Sequence, residues 1–234
     1  ASCPDPIKLL QNSWGLGQNN GVSVKRDAMG LSFAVGLYGS AFGAAAVANH
    51  FSVAQACFLS LVLFSGASQF AVIGVIGAGG TSLSAISTGA LLGLRNSLYS
   101  LRMKPILKLK GVKRLVGAQL TIDESTGIAL AQENVKESVS GFWLTGIGVY
   151  FWWNLFTLLG ALGAQAIGRP EQWGLDSAVP AAFLALVWPR LTNKKNWLLA
   201  ISAALLALIL TPLIPSGLPI ITCALLALAF GWKP

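Results

Sequence analysis

Three charged side chains lie in otherwise apolar stretches, and they are the residues best placed to do chemistry. Arg95 lies within the apolar stretch 82–101, and Asp123 and Glu124 are adjacent acids in the next membrane-like segment. An ionised side chain at the centre of a bilayer costs roughly 2.5–3.5 kcal/mol on insertion scales. The sequence therefore predicts one of two arrangements. Either Arg95 pairs with Asp123 or Glu124 at a polar cavity, or its long side chain snorkels to the interface.

No motif supports an enzyme. Neighbouring residues on a helix point about 100° apart, so Asp123 and Glu124 are poorly arranged to share a proton as a hydrolytic pair. The chain has no P-loop, HExxH or GxSxG motif, which leaves an ATP-driven motor, a zinc protease and a serine hydrolase without support. His50 is the single histidine, and the three cysteines are far apart. We therefore expect no catalysis, no metal site and no cofactor.

The elements that must position these residues are apolar helices. Of 234 residues, 54% are hydrophobic and 10% charged, whereas a soluble domain carries about 25% charged residues. Several stretches reach the roughly 20 apolar residues that cross a hydrocarbon core. The basic residues behind the net charge of +8 cluster in connections, as in cytoplasmic loops, and do not form a nucleic-acid surface. The sequence predicts an all-α, polytopic transmembrane helix bundle with no nucleic-acid partner.

We divide the chain into a polar N-terminal tail at 1–24 and a single transmembrane permease domain at 25–234. Spans are predicted at 29–48, 82–101, 139–168, 178–188, 197–210 and 218–232, while 115–133 is expected to dip into the membrane without crossing. The spans 29–48, 139–168 and 197–210 are predicted to run outward, and the others to return. The loop with Arg169, Glu171 and Asp176 is then outside. In the first span Gly39 and Gly43 form a GxxxG pattern, which indicates either tight packing inside the chain or a dimer face. Thr121 and Glu124 have the spacing of a helix capping box.

The positions of the basic residues indicate whether the apolar stretch 53–80 crosses the membrane. Lys25 and Arg26 place the N-terminus in the cytoplasm, and if 53–80 simply crossed, the basic cluster at 102–114 would lie outside. That arrangement violates the positive-inside rule. A re-entrant hairpin that turns at residues 65–69 removes the conflict. The alternative is one continuous, tilted 28-residue helix with a Ser-Gly kink.

A break at membrane depth is a functional signal, because non-helical backbone is tolerated there only where it is buried or lines a cavity. The second half-helix would start near Ala67 and direct free N–H groups and its positive dipole end at the turn, an arrangement that transporters use for anionic substrate groups. We expect the break to bind substrate through five consecutive residues, namely Ser65, Gly66, Ala67, Ser68 and Gln69.

Several blocks, in order along the chain from about residue 26 to 232, resemble the AzlC family, the large permease subunit of branched-chain amino acid exporters. The residues that carry the resemblance are Phe64-Ser65-Gly66-Ala67-Ser68-Gln69-Phe70, Leu94-Arg95-Asn96-Ser97-Leu98-Tyr99, Leu120-Thr121-Ile122-Asp123-Glu124-Ser125, Tyr150-Phe151-Trp152-Trp153-Asn154, Gly174-Leu175-Asp176 and Pro180-Ala181-Ala182-Phe183-Leu184.

The resemblance implies export of valine, leucine, isoleucine and methionine across the bacterial cytoplasmic membrane, driven by an ion gradient. It also implies a small hydrophobic AzlD-type partner subunit. The basic residues near both ends, Lys25, Arg26 and Lys233, predict cytoplasmic N- and C-termini by the positive-inside rule. Where the family typically has Asn-x-Arg-His, this chain has Gly93-Leu94-Arg95-Asn96. An amide thus replaces a titratable imidazole at Asn96.

The leading hypothesis is a secondary exporter whose break receives the amino-acid carboxylate. Asn154 is expected to contribute to substrate binding, and Arg95, Asn96, Asp123 and Glu124 to coupling or gating. The rival hypotheses are a non-transporting scaffold or assembly subunit in the membrane, and a transporter of another small solute. A channel is a weaker third possibility, because no ring of charged residues indicates a selectivity filter.

Overall fold

The computed structural model describes residues 22–168, 191–214 and 218–231, together with positions 180, 181, 184, 187 and 188. Over the continuous ranges every regular element is a helix, and the prediction of an all-α helix bundle is confirmed. The helices are α1 (Val22–Ala48), α2 (Val53–Val62), α3 (Gly66–Gly77), α4 (Ser82–Leu107), α5 (Val112–Gln119), α6 (Asp123–Leu130), α7 (Val135–Ile167), α8 (Lys194–Leu210) and α9 (Leu218–Gly231).

Helix bounds differ from the sequence prediction mainly at polar ends. Helix α1 begins at Val22, seven residues before the predicted span, and α4 continues to Leu107 through two basic residues that were expected in a loop. By length and composition, Val24–Ala48 and Val135–Ile167 are each long and apolar enough to cross a membrane. The predicted outer loop with Arg169, Glu171 and Asp176, and most of the span 178–188, lie outside the described residues.

The described residues form two compact units. Unit 1 comprises 22–40 and 94–156, and unit 2 comprises 41–93 and the described residues between 157 and 231. Each of the helices α1, α4 and α7 is therefore divided, with one segment in unit 1 and the other in unit 2. Of the short helices, α2 and α3 belong to unit 2, whereas α5 and α6 belong to unit 1.

In unit 1 the first half of α1 packs parallel to the first half of α7. The Ser32 hydroxyl donates to the carbonyl of Thr145 at 3.3 Å, and further along both helices a Cβ on Gly36 would collide with Trp152. Because residue numbers rise together along the contact, the helices run in the same direction. This parallel arrangement agrees with the outward course predicted for both spans.

The glycines of the GxxxG pattern are used inside the chain. A Cβ on Gly39 would meet the backbone of Trp153 in unit 1. A Cβ on Gly43 would meet the backbone of Thr157 and Ala161 in unit 2. Both glycines thus permit close backbone approach between α1 and α7, and the prediction of tight packing inside the chain is confirmed.

In unit 2 the stretch 53–80 forms two separate helices, so the expected break is confirmed and a continuous helix is wrong. The break lies at 63–65 and not at 65–69, because residues 66–69 already form the first turn of α3. Helix α2 begins at a capping box, in which the Ser52 hydroxyl accepts from the Gln55 N–H and the Gln55 side chain accepts from the Ser52 N–H. The C-terminal end of α3 lies beside the chain just before α2, because a Cβ on Gly77 would collide with the side chain of Asn49. The two ends therefore meet, as a re-entrant hairpin requires.

At the far end of unit 2, α8 and α9 pack against each other. The Cys223 thiol donates to the carbonyl of Ala203 at 3.3 Å. These positions lie seven residues before the end of α8 and five residues after the start of α9. The helices are therefore antiparallel, as predicted for the last outward and returning spans.

Candidate functional site

The break between α2 and α3 comprises residues 63–65. Its backbone is extended at Ser65, with φ −154° and ψ 105°. The N–H of Leu63 still donates to Leu59, which ends α2, and the N–H of Gln69 donates to the Ser65 carbonyl at 2.9 Å, which starts α3. Ser65 is 6% exposed, so this non-helical backbone is buried.

Gln69 bridges the break with its side chain. Its amide Nε2 donates to the carbonyl of Leu63 at 2.6 Å, and the same nitrogen lies 3.5 Å from the carbonyl of Ser60. Gln69 is fully buried. The side chain predicted to contact substrate thus adds a second donor to the carbonyl of Leu63, which also accepts from the Ser65 N–H at 2.8 Å, and it positions the break.

The first turn of α3 presents backbone donors. An α-helix leaves the N–H groups of its first residues without intrahelical acceptors, and here they belong to Gly66, Ala67 and Ser68. The Ser65 side chain makes no capping hydrogen bond to them. Instead, the Ser68 hydroxyl donates to the Ser65 hydroxyl at 3.1 Å. The turn is therefore polar and buried, and it has no carboxylate of its own.

Helix α4 packs close to the first turn of α3 through two glycines. A Cβ on Gly93 would lie 3.6 Å from the Ser68 hydroxyl, and one on Gly89 would press against Val72. The two glycines allow the backbone of α4 to approach the first turn of α3. Thr88, beside Gly89, is fully buried and its hydroxyl has no hydrogen-bond partner among the described residues.

A second break, which sequence reasoning missed, lies at residues 120–122 in unit 1. The predicted dipping segment 115–133 consists of α5 and α6, separated by extended backbone at Ile122. The Ser125 hydroxyl donates to the carbonyl of Leu120 at 2.6 Å and accepts from the N–H of Ile122 at 3.1 Å. The expected capping box of Thr121 and Glu124 is wrong, because Thr121 donates back to Gly117.

The two breaks are held by the same kind of hydrogen bond, and they differ in the charge of the residues that begin the following helix. In each, a leucine carbonyl exposed by the break accepts from a polar side chain in the first turn of the following helix, Gln69 in α3 and Ser125 in α6. Helix α6 begins with Asp123 and Glu124, whereas α3 begins with Gly66 and Ala67. Carboxylates in a first helical turn offset the positive dipole end. Helix α6 supplies these charges itself, and α3 does not.

Arg95 and Asp123 form the ion pair that the sequence predicted as one of two arrangements. Arg95 Nη1 lies 2.9 Å from Asp123 Oδ2, and the side chains are 34% and 26% exposed. A snorkelling Arg95 without a partner is therefore wrong. Both side chains can form further hydrogen bonds, because Arg95 Nε and Asp123 Oδ1 are buried without hydrogen-bond partners among the described residues.

Other polar atoms in unit 1 are also buried without partners among the described residues. They are Asn96 Oδ1, Thr126 Oγ1, Thr145 Oγ1 and Asn154 Oδ1. Asn154 Nδ2 donates within its own helix to the carbonyl of Tyr150 at 2.7 Å. Asn154 belongs to unit 1 and Ser65–Gln69 to unit 2, so the predicted substrate-binding residues are divided between the units. Thr145 could have been found as a lone hydroxyl residue in an apolar segment, whereas Thr126 follows two acids and Ser125 and does not stand out.

The family model described as AzlC protein matches residues 30–167. The match includes both breaks and the Arg95–Asp123 pair. The resemblance recognised in the sequence is confirmed.

Individual relatives are membrane proteins. The chain is 30% identical over 175 residues to the inner membrane protein YgaZ of Escherichia coli, which covers 70% of each chain. It is 31% identical over 194 residues to an uncharacterized membrane protein of Archaeoglobus fulgidus, with 82% of this chain and 85% of the relative covered. A Helicobacter pylori membrane protein is 26% identical over 180 residues. No solved structure matches the chain.

Proposed function

This chain belongs to the AzlC family of membrane proteins, and we propose on that premise that it is the permease subunit of a secondary exporter for hydrophobic amino acids. The proposed substrates are valine, leucine, isoleucine and methionine, and the driving force is an ion gradient. We place the protein in the bacterial cytoplasmic membrane with both termini in the cytoplasm, together with a small hydrophobic AzlD-type partner subunit. The proposal is supported by the membership of this chain in the AzlC family and by the resemblance of its sequence to branched-chain amino acid exporters.

The observation that carries the proposal is the bare first turn of α3. Its N–H groups are at a buried break, and Gly66 and Ala67 stand where α6 has two acids. Because α3 provides no anion to this positive helix end, an amino-acid carboxylate is the complementary ligand. Transporters hold anionic substrate groups at half-helix N-termini in this way.

Apolar side chains flank the break and suit an aliphatic substrate. Phe64 and Phe70 are 7% and 1% exposed, and Phe70 packs edge-to-face on Phe42 with ring centroids 5.6 Å apart. A site with one polar end and apolar walls favours a hydrophobic amino acid over a polar one. The break would therefore select the carboxylate through backbone donors and the side chain through burial.

Coupling or gating is assigned to unit 1. Arg95 and Asp123 form the ion pair, and Glu124 and Asn96 are their neighbours in sequence. Two acids accompany one arginine here, so the surroundings of α6 favour a cation when both acids are ionised. Asn96 has no titratable group, which leaves Asp123 and Glu124 as the groups able to exchange a proton.

Counterflow of radiolabelled leucine in liposomes tests the function. The full chain is reconstituted with and without the partner subunit, and the vesicles are preloaded with unlabelled leucine, alanine or lysine. We expect leucine counterflow that unlabelled valine and isoleucine inhibit and lysine does not. Absence of counterflow in both preparations, with correctly inserted protein, would contradict the proposal.

A membrane scaffold is the second candidate, and α8 is the observation that favours it. None of the described residues in this 17-residue helix is buried, and large apolar side chains such as Leu198 and Leu208 are exposed. Such a surface fits another membrane chain as well as lipid. A scaffold would bind its partner normally when the α3 break is altered, whereas an exporter would lose transport.

A further inference from the structure

Unit 1 contains an open apolar cleft on the side of α1 and α7. Its volume is about 460 Å³. The α1 residues lie at successive turns of one helix face, and the α7 residues recur at intervals of four. The lining residues are Arg26, Met29, Gly30, Ser32, Phe33, Leu144, Gly148 and Trp152. The one charged side chain among them is that of Arg26, and no acid lines the cleft.

Two glycines make room for the cleft. Gly30 is exposed, and a Cβ added there would meet no atom within 4 Å. On α7, Gly148 removes a side chain at the level of Ser32, where a Cβ would press on the serine. The opposite end of the lining is aromatic, because Phe33 and Trp152 pack edge-to-face with centroids 5.1 Å apart. The floor is thus backbone and the wall is aromatic.

The cleft is amphipathic along its length. Arg26 and the neighbouring Lys25 are exposed, and Phe33 lies two helical turns away, about 10 Å at 1.5 Å rise per residue. Between them, Met29 is 69% exposed. A ligand that fits this surface carries an anionic group at one end and a flexible apolar body at the other.

We propose that this cleft binds an anionic phospholipid of the cytoplasmic leaflet. The guanidinium of Arg26 binds the phosphate, for which a planar fork of N–H donors is well suited. One acyl chain lies over Gly30 against Phe33 and Trp152. Basic residues at the cytoplasmic end of membrane helices attract anionic lipid headgroups, and the lack of a lining acid leaves the charge of Arg26 available inside the cleft.

Native mass spectrometry of the full chain in detergent tests this assignment. Phosphatidylglycerol or phosphatidylcholine is titrated into delipidated protein, and bound lipid is counted. Gly30→Leu adds a side chain to the lining of the cleft, where a Cβ meets no atom within 4 Å, and we expect it to abolish the retained phosphatidylglycerol. Arg26→Gln is expected to lower phosphatidylglycerol binding about fivefold, the effect of one basic residue near an anionic surface, and to leave phosphatidylcholine unchanged.

Gly163→Leu is the matched control. Gly163 is another exposed helical glycine whose added Cβ would meet nothing within 4 Å, and it does not line the cleft. The two substitutions therefore change helix propensity by similar amounts. Undiminished phosphatidylglycerol binding by Gly30→Leu, or equal loss in Gly163→Leu, would overturn the proposal.

Discussion

The side-chain nitrogen of Gln69 lies 2.6 Å from the carbonyl oxygen of Leu63, across the break between two half-length helices. This bond joins the end of α2 to the first turn of α3 through a fully buried side chain. It fixes the extended backbone at 63–65, and with it the direction of the N–H groups of α3. Gln69 therefore determines the shape of the proposed carboxylate site without needing to touch the substrate.

Gln69→Ala is expected to abolish leucine export while the protein still reaches the membrane. It removes the side-chain donor that holds the carbonyl of Leu63, a loss of about 0.5–1.5 kcal/mol, and it frees the break to change shape. The readouts are leucine counterflow and thermal unfolding of the purified chain. Gln132→Ala is the control, because Gln132 donates to the carbonyl of Ile128 in the last turn of α6 and to no residue of a break. Normal export by Gln69→Ala would show that the site is misplaced.

Gly66→Asp is expected to block export and leave the fold intact. The new carboxylate occupies the first position of α3, as Asp123 does in α6, and satisfies the helix end that substrate would otherwise satisfy. Its interaction with the dipole contributes about 0.3–1 kcal/mol. Gly66→Asn is the control of the same size without the charge, and it should retain more counterflow. Equal activity of the two variants would argue against a carboxylate at this turn.

A double-mutant cycle on Arg95 and Asp123 is expected to show that the two side chains stabilise the fold together more than they do singly. Arg95→Gln or Asp123→Asn leaves one charge without its partner, whereas the double variant removes both. Because the side chains are 34% and 26% exposed, we expect a coupling of about 1 kcal/mol in thermal stability, at the lower end for contacting residues.

Asp123→Asn is also expected to lower export and to change its pH dependence, since an amide cannot exchange a proton near neutral pH. The measurement is the initial rate of leucine efflux across a series of buffers, with Glu133→Gln as the control for an acid outside the pair. An unchanged pH profile would remove Asp123 from the coupling scheme and leave it a structural partner of Arg95.

The re-entrant hairpin predicts that residues at the two ends of the stretch 53–80 are accessible from the same face of the membrane. In a chain without native cysteines, Ala54→Cys and Thr81→Cys should both react with an impermeant maleimide added outside intact cells. Both positions are exposed. Lys110→Cys, in the basic cluster, should react after the cells are opened. Labelling of only one of the first two would indicate a crossing segment.

Sequence reasoning located the first break because the charges on its two sides demanded it. Lys25 and Arg26 and the cluster at 102–114 cannot share the cytoplasmic side if 53–80 crosses once. The Arg95–Asp123 pair was predictable for a related reason, since isolated charges in apolar segments need partners. Both inferences depend on charge, which is sparse in this chain and therefore informative.

The details that escaped prediction depend on side-chain direction. Gln69 was predicted to bind substrate, whereas the bond from its amide to the carbonyl of Leu63 was not predicted. The second break went unrecognised because 115–133 is only mildly apolar, so its interruption did not stand out from the surrounding polarity. Ser125, which holds that break, lies among small polar residues that differ little in type.

The length of the hairpin arms has a consequence for biosynthesis. Helix α2 has 10 residues and α3 has 12, about 15–18 Å each at 1.5 Å per residue, so neither arm alone spans a 30 Å hydrocarbon core. Their buried polar turn is covered partly by Gly89 and Gly93, which leave the ribosome later. We therefore expect α2 and α3 to enter the bilayer together, after α4 has emerged from the translocon. The order of insertion would then differ from the order of synthesis.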